Sequence, residues 1–159
     1  ILIHNVHLKL WDISVEKLYE ATKENTPRLL PYQIKSMQQV LFEIMKEQNP
    51  KEYSSEDCIK HSTNNIPMFV LSNQHKVEGA SCILYPNVLH DFADTINSSF
   101  YIIPSSIHEV LLLPTEITEE SASILSMIQE INDTQVSVEE ILSYSLYFYD
   151  KRADKVIKV

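Results

Sequence analysis

Phe100-Tyr101-Ile102-Ile103-Pro104-Ser105-Ser106-Ile107-His108-Glu109-Val110-Leu111-Leu112-Leu113 sets two apolar runs on either side of a short polar break. Short runs rich in isoleucine, valine and aromatic residues suit strands. Proline fixes its own φ and serine hydroxyls bond to nearby backbone, so the break between them reads as a chain reversal. Phe100–Ile103 and Ile107–Leu113 are therefore expected to pair as an antiparallel hairpin. The second run is apolar on both faces, which suits a strand in the middle of a sheet.

Working outward, Tyr144–Tyr149 and Val156–Val159 form a second hairpin that turns through Asp150–Lys155 and has the polar tail of a sheet edge. Met68–Leu71 and Ala80–Tyr85 read as a third, joined by the polar stretch Ser72–Glu78, with Gly79 marking a bulge or tight turn exit. Ile1–Ile3 is a short terminal strand candidate. Helical periodicity fills the gaps. Ser14 caps a segment that stops at Asn25, and residues 33–48 place Ile34, Met37, Leu41, Ile44 and Met45 on one face before Asn49-Pro50. Residues 87–96 stop at Asn97, residues 119–131 stop at Asn132, and a short helix starts at Ser137, three residues before Glu140 in capping-box spacing.

The expectation is an α+β fold: a mixed or mostly antiparallel sheet of roughly five to six strands, with helices mainly on one face, preceded by two helices. Residues 1–50 form an N-terminal strand and two-helix segment, 51–66 a polar linker and 67–159 the α+β core, all in one compact unit.

The chain has a single glycine, Gly79, among 159 residues. Dinucleotide fingerprints, P-loops and the nucleophile elbow all need several glycines for close backbone approach or positive φ, so those chemistries are excluded and no cofactor is expected. Helices must end on another residue, and asparagine is the next best at the left-handed C′ position. Thirteen basic residues against 22 acidic ones give a net charge of −9. Such a chain repels phosphate backbones, which argues against nucleic acid as a partner. The longest apolar run, Val110–Leu113, falls far short of the roughly 20 residues that span a bilayer, so no membrane is expected either. Nothing at the start resembles a signal peptide. The chain opens on Ile1, without methionine, which suggests a fragment or processed product. Cys82 sits in an apolar run as a small core residue; a reducing compartment is the default for two scattered cysteines, and pairing of Cys58 with Cys82 stays open.

Three stretches, with the chain's ending, also carry a resemblance. They are His7-Leu8-Lys9-Leu10-Trp11 followed by Glu24-Asn25-Thr26-Pro27-Arg28-Leu29-Leu30-Pro31; Gly79-Ala80 with Leu84-Tyr85-Pro86-Asn87-Val88-Leu89; and Tyr101 to Val110. With Glu139 to Ser143 and Tyr147 to Asp150, they resemble a bacterial family of unknown function, number five-six-eight-eight, over essentially the whole chain. The resemblance implies a cytoplasmic bacterial protein whose relatives carry a further segment before this one. It implies no activity and no catalytic residue.

For chemistry, the sharpest cluster is Ser105, Ser106, His108 and Glu109. On a strand, Ser106 and His108 share a face with Cα atoms about 6.6–7 Å apart, too far for a direct hydroxyl–imidazole bond unless a turn closes the gap. Glu109 points to the other face and cannot orient His108, so a hydrolase would need a carboxylate from elsewhere. The plainer reading is a β-turn whose serines satisfy backbone groups. A zinc-protease motif fails because Leu112 stands where a second histidine is required. The histidines at 4, 7, 61, 75, 90 and 108 have no metal spacing, and no metal site is expected. Tyr147 and Tyr149, on one face of the last hairpin, are candidates for a protein interface. Two functions follow: a non-catalytic cytoplasmic interaction module with a protein partner or self-association, and, as the alternative, a hydrolase-like enzyme around Ser106 and His108.

Overall fold

The computed structural model describes residues 3–48, 68–115 and 121–159. In chain order these form α1 (Asn5–Trp11), α2 (Val15–Leu29), β1 (Tyr32–Ser36), α3 (Met37–Gln48), β2 (Phe69–Asn73), a 3₁₀ helix (Gly79–Leu84), α4 (Val88–Ile96), β3 (Phe100–Ile103), β4 (Val110–Pro114), α5 (Ser121–Gln135), β5 (Tyr147–Asp150) and β6 (Lys155–Lys158). The six strands make one antiparallel sheet in the order β1-β2-β4-β3-β5-β6. The fold is α+β.

The β3–β4 hairpin forms around Pro104-Ser105-Ser106 as expected, with Ile102 opposite Leu112 and Ile103 opposite Leu111. β4 lies inside the sheet, and β5–β6 closes it at one edge. Strand alternation then sorts the core. Leu71, Val110, Leu112, Phe100 and Ile102 face α4 and the 3₁₀ helix, meeting Val88, Phe92, Ala93, Ala80 and Cys82. Val70, Leu111, Leu113 and Ile103 face the other way, onto Ile124 and Ile128 of α5, with Met37 and Val40 of α3 at the margin. Both faces are therefore covered, where helices mainly on one face were expected. Phe92 links Phe69 and Phe100 by edge-to-face contacts with ring centroids 5.1 and 5.0 Å apart, an arrangement the aromatic quadrupole favours.

Several elements differ from the expectation. Residues 33–48 divide into β1 and α3. The division is marked by a reciprocal cap at Ser36: its N–H donates to Gln39 Oε1 at 2.9 Å, and its Oγ accepts from Gln39 N at 3.2 Å. Ala80–Tyr85 belongs to a 3₁₀ helix and its C-cap rather than to a strand, so β2 pairs with β1 and β4 instead. α2 runs through Asn25 and carries Pro27 in its last turn, where a missing N–H leaves only one carbonyl without its intrahelical donor. α5 runs through Asn132, whose buried amide donates to Ser143 O at 3.1 Å; a tertiary clamp there outweighs the residue's use as a stop. At Ser137 there is a turn, with Glu140 N bonded to Ser137 O at 2.9 Å, and no helix.

Asn97 does end α4, in the left-handed conformation with φ 52° and ψ 32°. Ser14 caps α2, accepting from Lys17 N at 3.2 Å. Asn5–Trp11 is helical with His4 as its extended N-cap, and Ile3 is not in a strand. Ile1, Leu2, Asn49 and the linker of residues 51–66 lie outside the described residues.

Candidate functional site

The turn between β3 and β4 collects the candidate residues. Ser105 is buried, and its N–H bonds back to Ile103 O at 3.0 Å. Ser106 Oγ accepts the backbone N–H of His108 at 3.1 Å, the serine turn that the sequence pattern allows. Three further backbone bonds fix the segment: Ile107 N to Glu140 O at 2.9 Å, Ser143 N to Pro104 O at 3.2 Å, and Ala80 N to Ile107 O at 3.1 Å. Ser72 Oγ donates to His108 O at 2.8 Å.

The half-exposed His108 ring is held on both sides. Nδ1 accepts the Glu78 N–H at 3.1 Å, which leaves the ring proton on Nε2, facing Glu140 Oε1 at 3.5 Å. The carboxylate missing from the sequence reading is thus Glu140, 32 positions away in the chain by its number. Nothing local pointed to it, because both ring partners arrive from separate loops. Glu109 is half-buried, and among the described residues no side-chain hydrogen bond or ion pair ties it to this group. Ser106 and His108 therefore share a turn, but the serine oxygen serves backbone and Nδ1 serves backbone. A nucleophile–base pair requires the serine hydroxyl to donate to a ring nitrogen, and among the described residues no hydrogen bond joins Ser106 Oγ to either nitrogen of His108.

Tyr149, expected on an interface, is 3% exposed and stacks on Phe100 with centroids 5.0 Å apart. Its hydroxyl donates to the Asp154 carboxylate, and burial first, then that bond, pushes its pKa up to about 12. Tyr147 is half-buried and packs on the same core. Alternation along β5 was read correctly, but the face it selects is the covered one. Among the described residues no group of three His, Cys, Asp or Glu side chains could hold a metal ion. His4 and His7 do come together on α1, where His7 Nδ1 accepts the His4 N–H at 3.0 Å. Cys82 is buried with a free thiol, and burial pushes its pKa up. No described helix is long and apolar enough to cross a membrane.

A second concave place was not visible in the sequence. A cleft of ≈ 740 Å³ lies between β1 and α4, with Ile34, Phe69, Phe92 and Ile96 as its apolar lining and Asp91 and Thr95 at its rim. Phe92 belongs to the buried core; Ile34, Phe69 and Ile96 are its partly buried fringe. β1 is the first strand in the sheet order, so the cleft runs along an edge that no other strand pairs with among the described residues. Four elements separated in sequence build it, which is why no local pattern announces it.

Residues 1–151 match the model of a family described as being of unknown function. The chain belongs to that family (DUF5688). Its match extends from α1 into the β5–β6 turn, so the cleft, the His108 turn and all of the sheet but β6 lie within the family region. No curated protein and no solved structure matches the chain.

Proposed function

We propose that this DUF5688 member is a non-catalytic interaction module of the bacterial cytoplasm that binds a protein partner at the β1–α4 cleft. The observation that carries the reading is a sheet edge, unpaired among the described residues, lying directly beside an apolar cleft. Unpaired strand edges are templates for another chain, and concave apolar sites with a few polar groups are where ligands bind. The free, buried Cys82 thiol fits a reducing compartment.

The hydrolase alternative has the His108–Glu140 approach in its favour. Against it stand the backbone engagement of Ser106 Oγ and of His108 Nδ1. A photo-crosslinking residue at the exposed position Thr95, in cells of a species carrying the family, is expected to capture a protein that the same group at Arg152 does not. Absence of any Thr95-dependent adduct would overturn the reading, as would labelling by a fluorophosphonate probe that Ser106→Ala abolishes.

A further inference from the structure

The register of β1 shows which backbone groups are open. Gln74 N bonds to Pro31 O at 3.1 Å and Met37 N to Met68 O at 2.8 Å, so both ends of the β1–β2 ladder are hydrogen-bonded pairs. Such pairs alternate along an antiparallel ladder. Gln33 and Lys35, opposite Ser72 and Val70, therefore turn their N–H and C=O groups toward β2. Tyr32, Ile34 and Ser36 turn theirs to the outer edge. The Ser36 N–H is taken by Gln39, leaving Tyr32 and Ile34 as the open rungs among the described residues. Ile34 also lines the cleft, with Tyr32, Gln33 and Ser36 of the same strand.

Sheets commonly protect such an edge with a lysine standing over it. At the opposite edge, Lys155 and Lys158 of β6 are exposed and form no ion pair among the described residues. On β1 the corresponding lysine is withdrawn: Lys35 Nζ bonds Glu43 Oε1 of α3 at 2.5 Å, which holds the Glu43 carboxyl below its usual range. Among the described residues lining the cleft the carboxylate is that of Asp91, which lies 3.6 Å from His90 Nδ1, longer than a hydrogen bond. The chain as a whole carries −9.

We propose that β1 receives an extended segment of a partner protein as a seventh strand, one apolar side chain of that segment filling the cleft beside Ile34 and a neighbouring lysine or arginine meeting Asp91. Main-chain bonds to Tyr32 and Ile34 supply affinity, while the cleft and the carboxylate select the side chains. This rests on the reading of the cleft as a binding surface and adds the mode and the partner's chemistry. A second copy of this chain is the less suitable occupant, since each copy brings the same carboxylate and the same negative charge.

The probe is the capped peptide acetyl-Lys-Val-Lys-Val-Lys-amide, compared with a scrambled peptide of the same composition, an alternating Glu-Val peptide, and the same peptide N-methylated at alternate amides. Titration followed by amide NMR is expected to shift Tyr32–Ser36 and Asp91–Ile96 and to slow exchange of the Tyr32 and Ile34 amides, which should be fast in the free protein. N-methylation should weaken binding roughly tenfold or more by removing two backbone bonds. Asp91→Asn should weaken it roughly two- to fivefold, the range of an exposed ion pair. Equal binding by the acidic or scrambled peptide overturns the proposal; so does no effect of N-methylation, slow exchange of the two amides without peptide, or a dimer that Ile34→Lys dissociates. Where Thr95 captures a partner yet the probe fails, the strand-addition proposal falls and the interaction reading stands; where neither binds, both fall.

Discussion

A β-carbon placed on Gly79 would lie 2.6 Å from the backbone oxygen of His108, so the only glycine in the chain is what lets the 3₁₀ helix start against the candidate turn. The same carbon would also lie 2.7 Å from Asn73 N and overlap Ser72 Oγ. Two of these obstacles are backbone and cannot swing aside. Gly79→Ala is expected to cost about 3 kcal/mol or more, read as a lower urea midpoint. Adding Ser72→Ala removes one obstacle of the three and should restore only part of the loss; full restoration would show that the backbone contacts do not matter.

The same loop bears on His108. Its Nδ1 holds the Glu78 N–H, and Glu78 sits in the left-handed region at φ 51°. His108→Ala removes that acceptor from a residue a non-glycine side chain strains. Stability should fall by about 1 kcal/mol, and the Glu78 amide should exchange faster while amides of β3 and β4 keep their rates. Unchanged exchange at Glu78 would mean the histidine does not anchor the loop.

Legibility in the sequence followed the range of the interactions. The β3–β4 and β5–β6 hairpins and α4 were readable because turn chemistry and apolar runs lie next to each other. β1 was not, since Ile34 continues the helical spacing of Met37 and Leu41; the overlooked signal was Ser36 followed by Gln39, a cap in mid-pattern. Ala80–Tyr85 misled because a short buried apolar run looks alike as strand or helix. At the site, Ser106 and His108 were found as sequence neighbours, whereas Glu78 and Glu140 reach the ring only through the tertiary fold. The cleft, assembled from β1, β2, α3 and α4, left no local trace at all.

Alkaline pH should weaken the fold through its buried phenols. Burial pushes both Tyr149 and Tyr85 up to about 12, above the unfolded value near 10. A phenol whose pKa rises on folding contributes fully while pH stays below the unfolded value, and the contribution is lost as pH climbs from about 10 toward about 12. Urea midpoints across that window should fall for the wild type and fall less for Tyr149→Phe. Equal slopes would place Tyr149 in solvent.

Cys82 is fully buried, and burial pushes its thiol up, so the thiolate that reacts is scarce on both counts. In a Cys58→Ser variant, a thiol reagent should label Cys82 only at the rate of unfolding, accelerating with urea in step with loss of structure. Rapid labelling in native buffer would contradict the core assignment.

Asn25 and Asn97 looked equivalent as helix stops and behave as opposites. Asn97 sits at φ 52° and ψ 32°, its N–H bonded to Ala93 O and Asp94 O, while its Oδ1 accepts from Lys151 Nζ at 2.9 Å. Asn25 is an exposed helical residue whose Oδ1 accepts from Arg28 at 3.2 Å. Left-handed backbone costs an ordinary L-residue about 1–2 kcal/mol, so Asn97→Ala should destabilise by about that much, and Asn97→Gly should recover most of it. Asn25→Ala places the best helix former inside a helix and should raise stability by a few tenths of a kcal/mol. Equal losses at the two positions in urea unfolding would mean that α2 ends at Asn25 after all, and that its continuation through Pro27 is wrong.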